Sequence, residues 1–112
     1  MEQQDLTIEF SFVEGRHTLR AEDIIYIETF RHKNLFITEK QTFSIYKKLD
    51  EIQLLLNEMG FVRAHRSFLI NMRYIEKISS YIMTLTTGKE ISVPKARYQE
   101  VKRTYLSFKE MQ

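Results

Sequence analysis

The feature that most narrows the fold is a succession of short β-type segments broken by polar turns. Leu6, Ile8, Phe10 and Phe12 alternate with Thr7, Glu9 and Ser11, the period of two expected of a half-buried strand. Glu14-Gly15 reads as a turn and His17 to Arg20 as an antiparallel return. Ala21-Glu22-Asp23 breaks the chain before Ile24 to Phe30, which is rich in β-branched and aromatic residues. Arg31-His32-Lys33-Asn34 interrupts that segment, Leu35 to Thr38 resumes it, and Glu39-Lys40-Gln41 turns into a further strand over Thr42 to Tyr46. Strands joined by such short turns predict an antiparallel meander.

The period then changes. Leu49, Ile52, Leu55, Leu56 and Met59 fall at helical spacing within Lys47 to Met59, and Gly60 follows as a C-terminal cap. The opposite face, with Lys47, Asp50, Glu51, Asn57 and Glu58, is polar and more acidic than basic, which suits a helix packed on a sheet rather than a recognition helix. Phe61-Val62-Arg63-Ala64-His65-Arg66-Ser67-Phe68-Leu69-Ile70-Asn71 has no clean period: apolar flanks enclose a polar His-Arg-Ser. Tyr74 to Ser79, Tyr81 to Thr86 and Glu90 to Val93 read as three more strands, with Thr87-Gly88-Lys89 as a hairpin turn. Pro94 suits the start of a last helix over Arg97 to Phe108, with Tyr98, Val101, Tyr105 and Phe108 on one face.

A chain of 112 residues is one domain's worth, and no repeat or linker divides it. Cysteine is absent, which excludes disulfides, thiolate zinc sites and cysteine nucleophiles and fits a reducing, cytoplasmic setting. No apolar run approaches the ~18–20 residues of a membrane span. The acidic, polar start Met1-Glu2-Gln3-Gln4-Asp5 is unlike a signal peptide and fits a domain boundary. The net charge of +2 conceals an asymmetry: residues 1–30 carry two bases and seven acids, residues 31–112 fifteen bases and eight acids. The bases cluster as Arg31-His32-Lys33, as Arg63, His65, Arg66 and Arg73, and as Lys89, Lys95, Arg97, Lys102 and Arg103. Such clusters are either solvated surface or the footprint of a polyanion.

The segment from Phe61 to Asn71 resembles the signature of the LytTR DNA-binding domain of bacterial response regulators. Asp23 to Glu28 resembles that family's early strand, Leu49 to Phe61 the helix leading into the signature, and Ile75 to Ile78, the Gly88 hairpin and Ile91-Ser92-Val93 its ending. The resemblance runs over about residues 6–106, so residues 1–112 read as a single LytTR-like domain. It implies a mostly β, elongated antiparallel fold with one or two short packing helices. It further implies promoter repeats of double-stranded DNA, read by loops in successive major grooves, with a possible dimer on the DNA. A receiver domain usually precedes this domain and is absent from this sequence, so the chain resembles an isolated output module of a two-component regulator of transcription.

Three contact loops carry over from the family: Arg31-His32-Lys33-Asn34, His65-Arg66-Ser67, and Pro94-Lys95-Ala96-Arg97, where Pro94 replaces the usual Ser and either Lys95 or Arg97 is the third contact. Arg66 is the leading candidate, since a guanidinium presents two donors that match O6 and N7 of guanine; its alternative is an Arg paired with a surface carboxylate. Ser67 suits a phosphate oxygen or a turn hydrogen bond. His65 suits a backbone bond that fixes the loop better than a phosphate contact, and Asn71 a bond within its own turn. His32, between polar neighbours, reads as an exposed tip. Lys33, Lys89, Lys95, Lys102 and Arg103 are phosphate candidates. Phe61, Phe68, Leu69 and Ile70 read as core rather than as stacking platforms.

Two other classes fit less well. An enzyme or metal site would need clustered histidines, but His17, His32 and His65 share no ligand spacing, and HExxH, GxSxG and glycine-rich phosphate loops are missing. No cofactor is called for. A protein-interaction module that has lost DNA binding would carry neutral or apolar residues in the three loops; here they are basic or amide-bearing.

Overall fold

Alternating residues build the first hairpin: β1 (Thr7–Phe12) pairs antiparallel with β2 (Gly15–Arg20), and Phe10 and Phe12 point into the core. The structure, a computed structural model, describes residues 6–112; the acidic stretch Met1 to Asp5 lies outside them. A single 3-10 turn, Ala21–Asp23, leads into β3 (Ile24–Phe30), which is followed by β4 (Lys33–Thr38), β5 (Thr42–Ile45) and α1 (Leu49–Leu55). Then come β6 (Phe61–His65), β7 (Phe68–Asn71), a second 3-10 turn at Met72–Tyr74, β8 (Ile75–Ser79), β9 (Ile82–Leu85), β10 (Glu90–Ser92) and α2 (Lys95–Glu110).

The strands form three sheets rather than one meander. A five-stranded sheet runs β5-β4-β3-β7-β6, flanked by the β1-β2 hairpin and a three-stranded β10-β9-β8 sheet, all antiparallel. The long-range step is β7 pairing with β3, which places Tyr26 opposite Ile70 and Glu28 opposite Phe68. The described residues measure 41 × 39 × 24 Å, so the fold is extended in two directions and thin in the third.

Both faces of the five-stranded sheet are covered. On one face Ile24, Ile27, Phe36 and Leu69 pack with Phe10 and Phe12 of the hairpin and with Leu49, Ile52 and Leu56 at α1. On the other, Ile25, Val62, Ala64 and Ile70 pack against Met83, Leu85 and Ile91 of the small sheet and Tyr98, Val101 and Tyr105 of α2. This explains the missing period in Phe68-Leu69-Ile70: β7 is a central strand with an apolar layer on each side, so adjacent residues are both buried. The segment around His-Arg-Ser is therefore a β-hairpin.

Two helix bounds differ from the sequence reading. The first helix ends at Leu55 rather than Met59, because Glu58 and Gly60 take φ of 66° and 88° and unwind the chain into turns. Leu54 and Leu55 are left 77% and 50% exposed, so Leu55 is not a core residue. A side chain at Gly60 would also press on Phe108, its Cβ 3.3 Å from Cε1. The last helix starts at Lys95, directly after Pro94, and runs sixteen residues with Tyr98, Val101 and Tyr105 buried. Among the described residues no helix is long and apolar enough to cross a membrane.

Candidate nucleic-acid interface

Sheet pairing gathers the first two candidate loops at one end of the five-stranded sheet. The Thr29 amide donates to the Ser67 carbonyl at 2.9 Å, so the β3–β4 and β6–β7 tips lie side by side. The β3–β4 loop is tighter than expected: only Arg31 and His32 form it, with φ of 51° and 67°, as in a type I′ hairpin. Neither is Gly or Asn, so each pays for the left-handed conformation, and both side chains are exposed. Arg31 lies over the Phe30 ring at 5.3 Å.

Lys33 and Asn34 are strand residues, and Asn34 departs from the reading of this loop as a set of DNA contacts. Its side chain is buried, accepting from the Thr29 hydroxyl at 2.6 Å and donating through Nδ2 to the Lys47 carbonyl at 2.6 Å. A side chain buried in these two bonds cannot reach a base. Lys33 remains at the edge, its ammonium 5.7 Å from the ring of exposed Tyr46.

The β6–β7 tip is built to be fixed. A bulge between Arg63 and His65 turns the strand, and Ala64 is buried there. His65 accepts the Ser67 amide on Nδ1 at 3.1 Å, which places the ring proton on Nε2, and its ring meets Phe68 edge-on at 5.9 Å. Arg63 donates through Nε to the His65 carbonyl at 3.0 Å and through Nη2 to the Arg66 carbonyl at 2.6 Å. Its Nη1 reaches Asp50 at 2.8 Å and Gln53 at 2.7 Å on α1. That hydrogen bond and the Arg63 charge hold the Asp50 carboxyl below its ordinary value. Arg66 itself is exposed, and among the described residues its guanidinium has no partner.

The third loop reaches this region through α1. Arg97 is half-buried and lines, with Asp50, Gln53, Arg63 and Glu100, a groove of about 430 Å³ between α1, β6 and α2. Lys95 is exposed in the first turn of α2. The two candidates for the third contact thus differ: Arg97 faces a carboxylate, and Lys95 faces solvent.

Folding adds residues that the sequence reading placed on a helix face or passed over. Since Asn34 pairs with Ile45 across β4 and β5, the chain leaving β5 emerges at the same edge and carries Tyr46, Lys47 and Lys48 there. A break in alternation after Ile45, followed by two lysines before the first helical residue, was the signal available. Three of the acids nearby are engaged: Asp50 by Arg63, Glu51 by the Lys48 amide at 3.3 Å, and Glu14 by the Ser44 amide and hydroxyl, each at 2.8 Å. Lys89 lies over aromatic rings, 5.9 Å from Phe68 at the start of β7 and 5.8 Å from Tyr26, and Lys102 lies 5.6 Å from Tyr98. Glu22, Asp23 and Glu39 mark the opposite end of the sheet, where Glu22 pairs with Arg20 and Arg73. Asn71 holds that end, accepting the Arg73 amide at 3.1 Å and donating to the Ile24 carbonyl at 2.9 Å. Among the described residues no group of three or more His, Cys, Asp or Glu could hold a metal ion.

The fold thus defines a β-rich domain that displays basic hairpin tips at one end of its main sheet. The family model described as the LytTr DNA-binding domain matches residues 14–105, and the chain belongs to that family. Among its relatives is the transcriptional regulatory protein NatR of Bacillus subtilis, 37% identical over 65 residues, covering 58% of this chain and 28% of NatR. The sensory transduction protein LytT of Bacillus cereus is 28% identical over 90 residues, covering 76% of this chain and 37% of LytT. The chain therefore spans roughly a third of the length of these relatives. A solved LytTr DNA-binding domain of a putative methyl-accepting/DNA response regulator from Bacillus cereus shares the fold, with a TM-score of 0.73 at 22% identity over 93% of this chain and 98% of that one.

Proposed function

We propose that this domain binds double-stranded DNA sequence-specifically, as the output part of a bacterial two-component regulator of transcription. The observation that carries the reading is the Arg66 guanidinium: exposed, without a partner among the described residues, and mounted on a braced turn beside the Arg31-His32 tip. A guanidinium so placed matches guanine O6 and N7 in the major groove, and a good bidentate contact discriminates by roughly 1–3 kcal/mol. His32 and Lys95 are the companion contacts from the neighbouring loops. Arg31, Lys33, Ser67 and Arg97 serve the phosphates or the shape of the edge, and His65 shapes the turn. Lys47 and Lys48 add phosphate contacts at the same edge.

Phosphate neutralisation releases counterions, so affinity falls with salt. The full regulator would carry a receiver domain, act in the cytoplasm, and place two copies on adjacent promoter repeats. Selection of bound duplexes from a random library tests the reading: it should return two short motifs about one helical turn apart. Arg66→Ala should then weaken the selected site by about tenfold or more while leaving random DNA nearly unchanged. No enrichment, or a flat salt profile, would leave a protein-interaction module instead.

A further inference from the structure

Arg63 stands three residues before the proposed base contact and points away from it, onto α1 and the back of the turn. Its side chain is only 14% exposed, whereas that of its ion-pair partner Asp50 is 85% exposed. All three guanidinium nitrogens are used, in bonds of 2.6–3.0 Å: two go to consecutive-turn carbonyls of His65 and Arg66, and the third divides between Asp50 and Gln53. The helix that carries Asp50 and Gln53 is itself fixed by Leu49 and Ile52 in the core.

We infer that Arg63 is the positioning residue of this interface, clamping the His65 and Arg66 carbonyls to α1 so that Arg66 is presented at one fixed angle. This rests on the reading of Arg66 as a base contact. Only a guanidinium has the planar fork for this: Lys is a point charge on a flexible stem and cannot span two carbonyls and a carboxylate at once. A bidentate base contact needs its donors held within about 0.5 Å, so the side chain that reads the base depends on the backbone that carries it. Asp50 neutralises Arg63, so Arg63 is a brace and not a phosphate ligand.

The test compares Arg63→Gln, Arg63→Lys, Arg66→Ala and the Arg63→Gln/Arg66→Ala pair in this chain, on the selected site, on that site with the guanine changed, and on random duplex. Arg63→Gln should cut the preference for the guanine about tenfold, the loss of a charge-assisted bond or two, with random-DNA affinity and salt slope unchanged. Arg63→Lys should not restore it, and the double variant should behave as Arg66→Ala. An equal loss on all three duplexes, a rescue by Lys, or a salt slope lower by about one phosphate would overturn the inference. Amide hydrogen exchange gives an answer independent of DNA. Arg63→Gln should speed exchange at Thr29 and Ser67, whose amides report the turn, about tenfold, without change at Ile27 or Phe36. Unchanged exchange at Thr29 and Ser67 overturns the brace. Faster exchange there, with Arg66→Ala retaining full base preference, upholds the brace and overturns the base-contact reading instead.

Discussion

The Nδ2 of Asn34 donates to the carbonyl oxygen of Lys47 at 2.6 Å, across thirteen residues of chain. One buried amide thereby ties the base of the β3–β4 tip to the segment that carries Tyr46, Lys47 and Lys48 to the same edge. Asn34→Ala leaves the Lys47 carbonyl and the Thr29 hydroxyl without their partner, and an unmet buried polar group costs roughly 1–3 kcal/mol. Urea denaturation should show an unfolding free energy lowered by that amount. Random and specific DNA should lose affinity alike, since Asn34 holds the scaffold rather than a base.

The left-handed pair Arg31-His32 predicts a trade of stability against binding. A non-glycine residue at positive φ costs roughly 1–2 kcal/mol, and glycine does not. His32→Gly should therefore match or exceed the native protein in thermal stability, despite glycine's greater chain entropy. It should bind the selected DNA site more weakly. A variant that is less stable and equally tight would show the tip to be structural.

Lys47 and Lys48 should act on phosphates rather than bases. Each phosphate contact contributes about 0.9 to the slope of log affinity against log salt. The double change Lys47→Ala/Lys48→Ala should lower that slope by up to about two, and should weaken selected and random duplexes by the same factor. A change in sequence preference would instead assign one of them a base.

Glu14 links pH to the integrity of the first hairpin. The hydrogen bond from the Ser44 amide holds the Glu14 carboxyl below its ordinary value; burial opposes it, and the Ser44 hydroxyl adds to it. A carboxylate depressed in the folded state stabilises above the unfolded pKa, and that stabilisation is lost as pH falls through the lower, folded pKa. Glu14→Gln should therefore be less stable than the native chain at pH 7, with the difference closing in acid. Denaturation midpoints measured from pH 7 down to about pH 3, below the ordinary carboxylate pKa of about 4.3, would show a constant gap if the Ser44 bonds were unimportant.

The alternation of Leu6 to Phe12, the β-branched run of Ile24 to Phe30 and the leucine spacing of Leu49 to Leu56 determine their elements locally, because each buries one stripe or face. The Phe61 to Asn71 signature is legible as a family likeness and silent as a pattern, because β7 is buried on both sides and loses its period. Candidate loops were legible as basic clusters, and Arg66, His32 and Lys95 are exposed where the chain turns. Asn34 was not legible: an amide beside two bases looks like a contact, and only the burial of β4 reassigns it to holding Lys47. Likewise Arg63 looks like one more base in a cluster. Four hydrogen bonds to residues two, three, ten and thirteen positions away make it a brace. The sequence by itself determined the β character, the first helix core and the basic tips, since these depend on neighbours in the chain. Which tips share an edge, and which polar side chains are spent inside it, was decided by the β3–β7 pairing, which joins segments some forty residues apart and has no local signature.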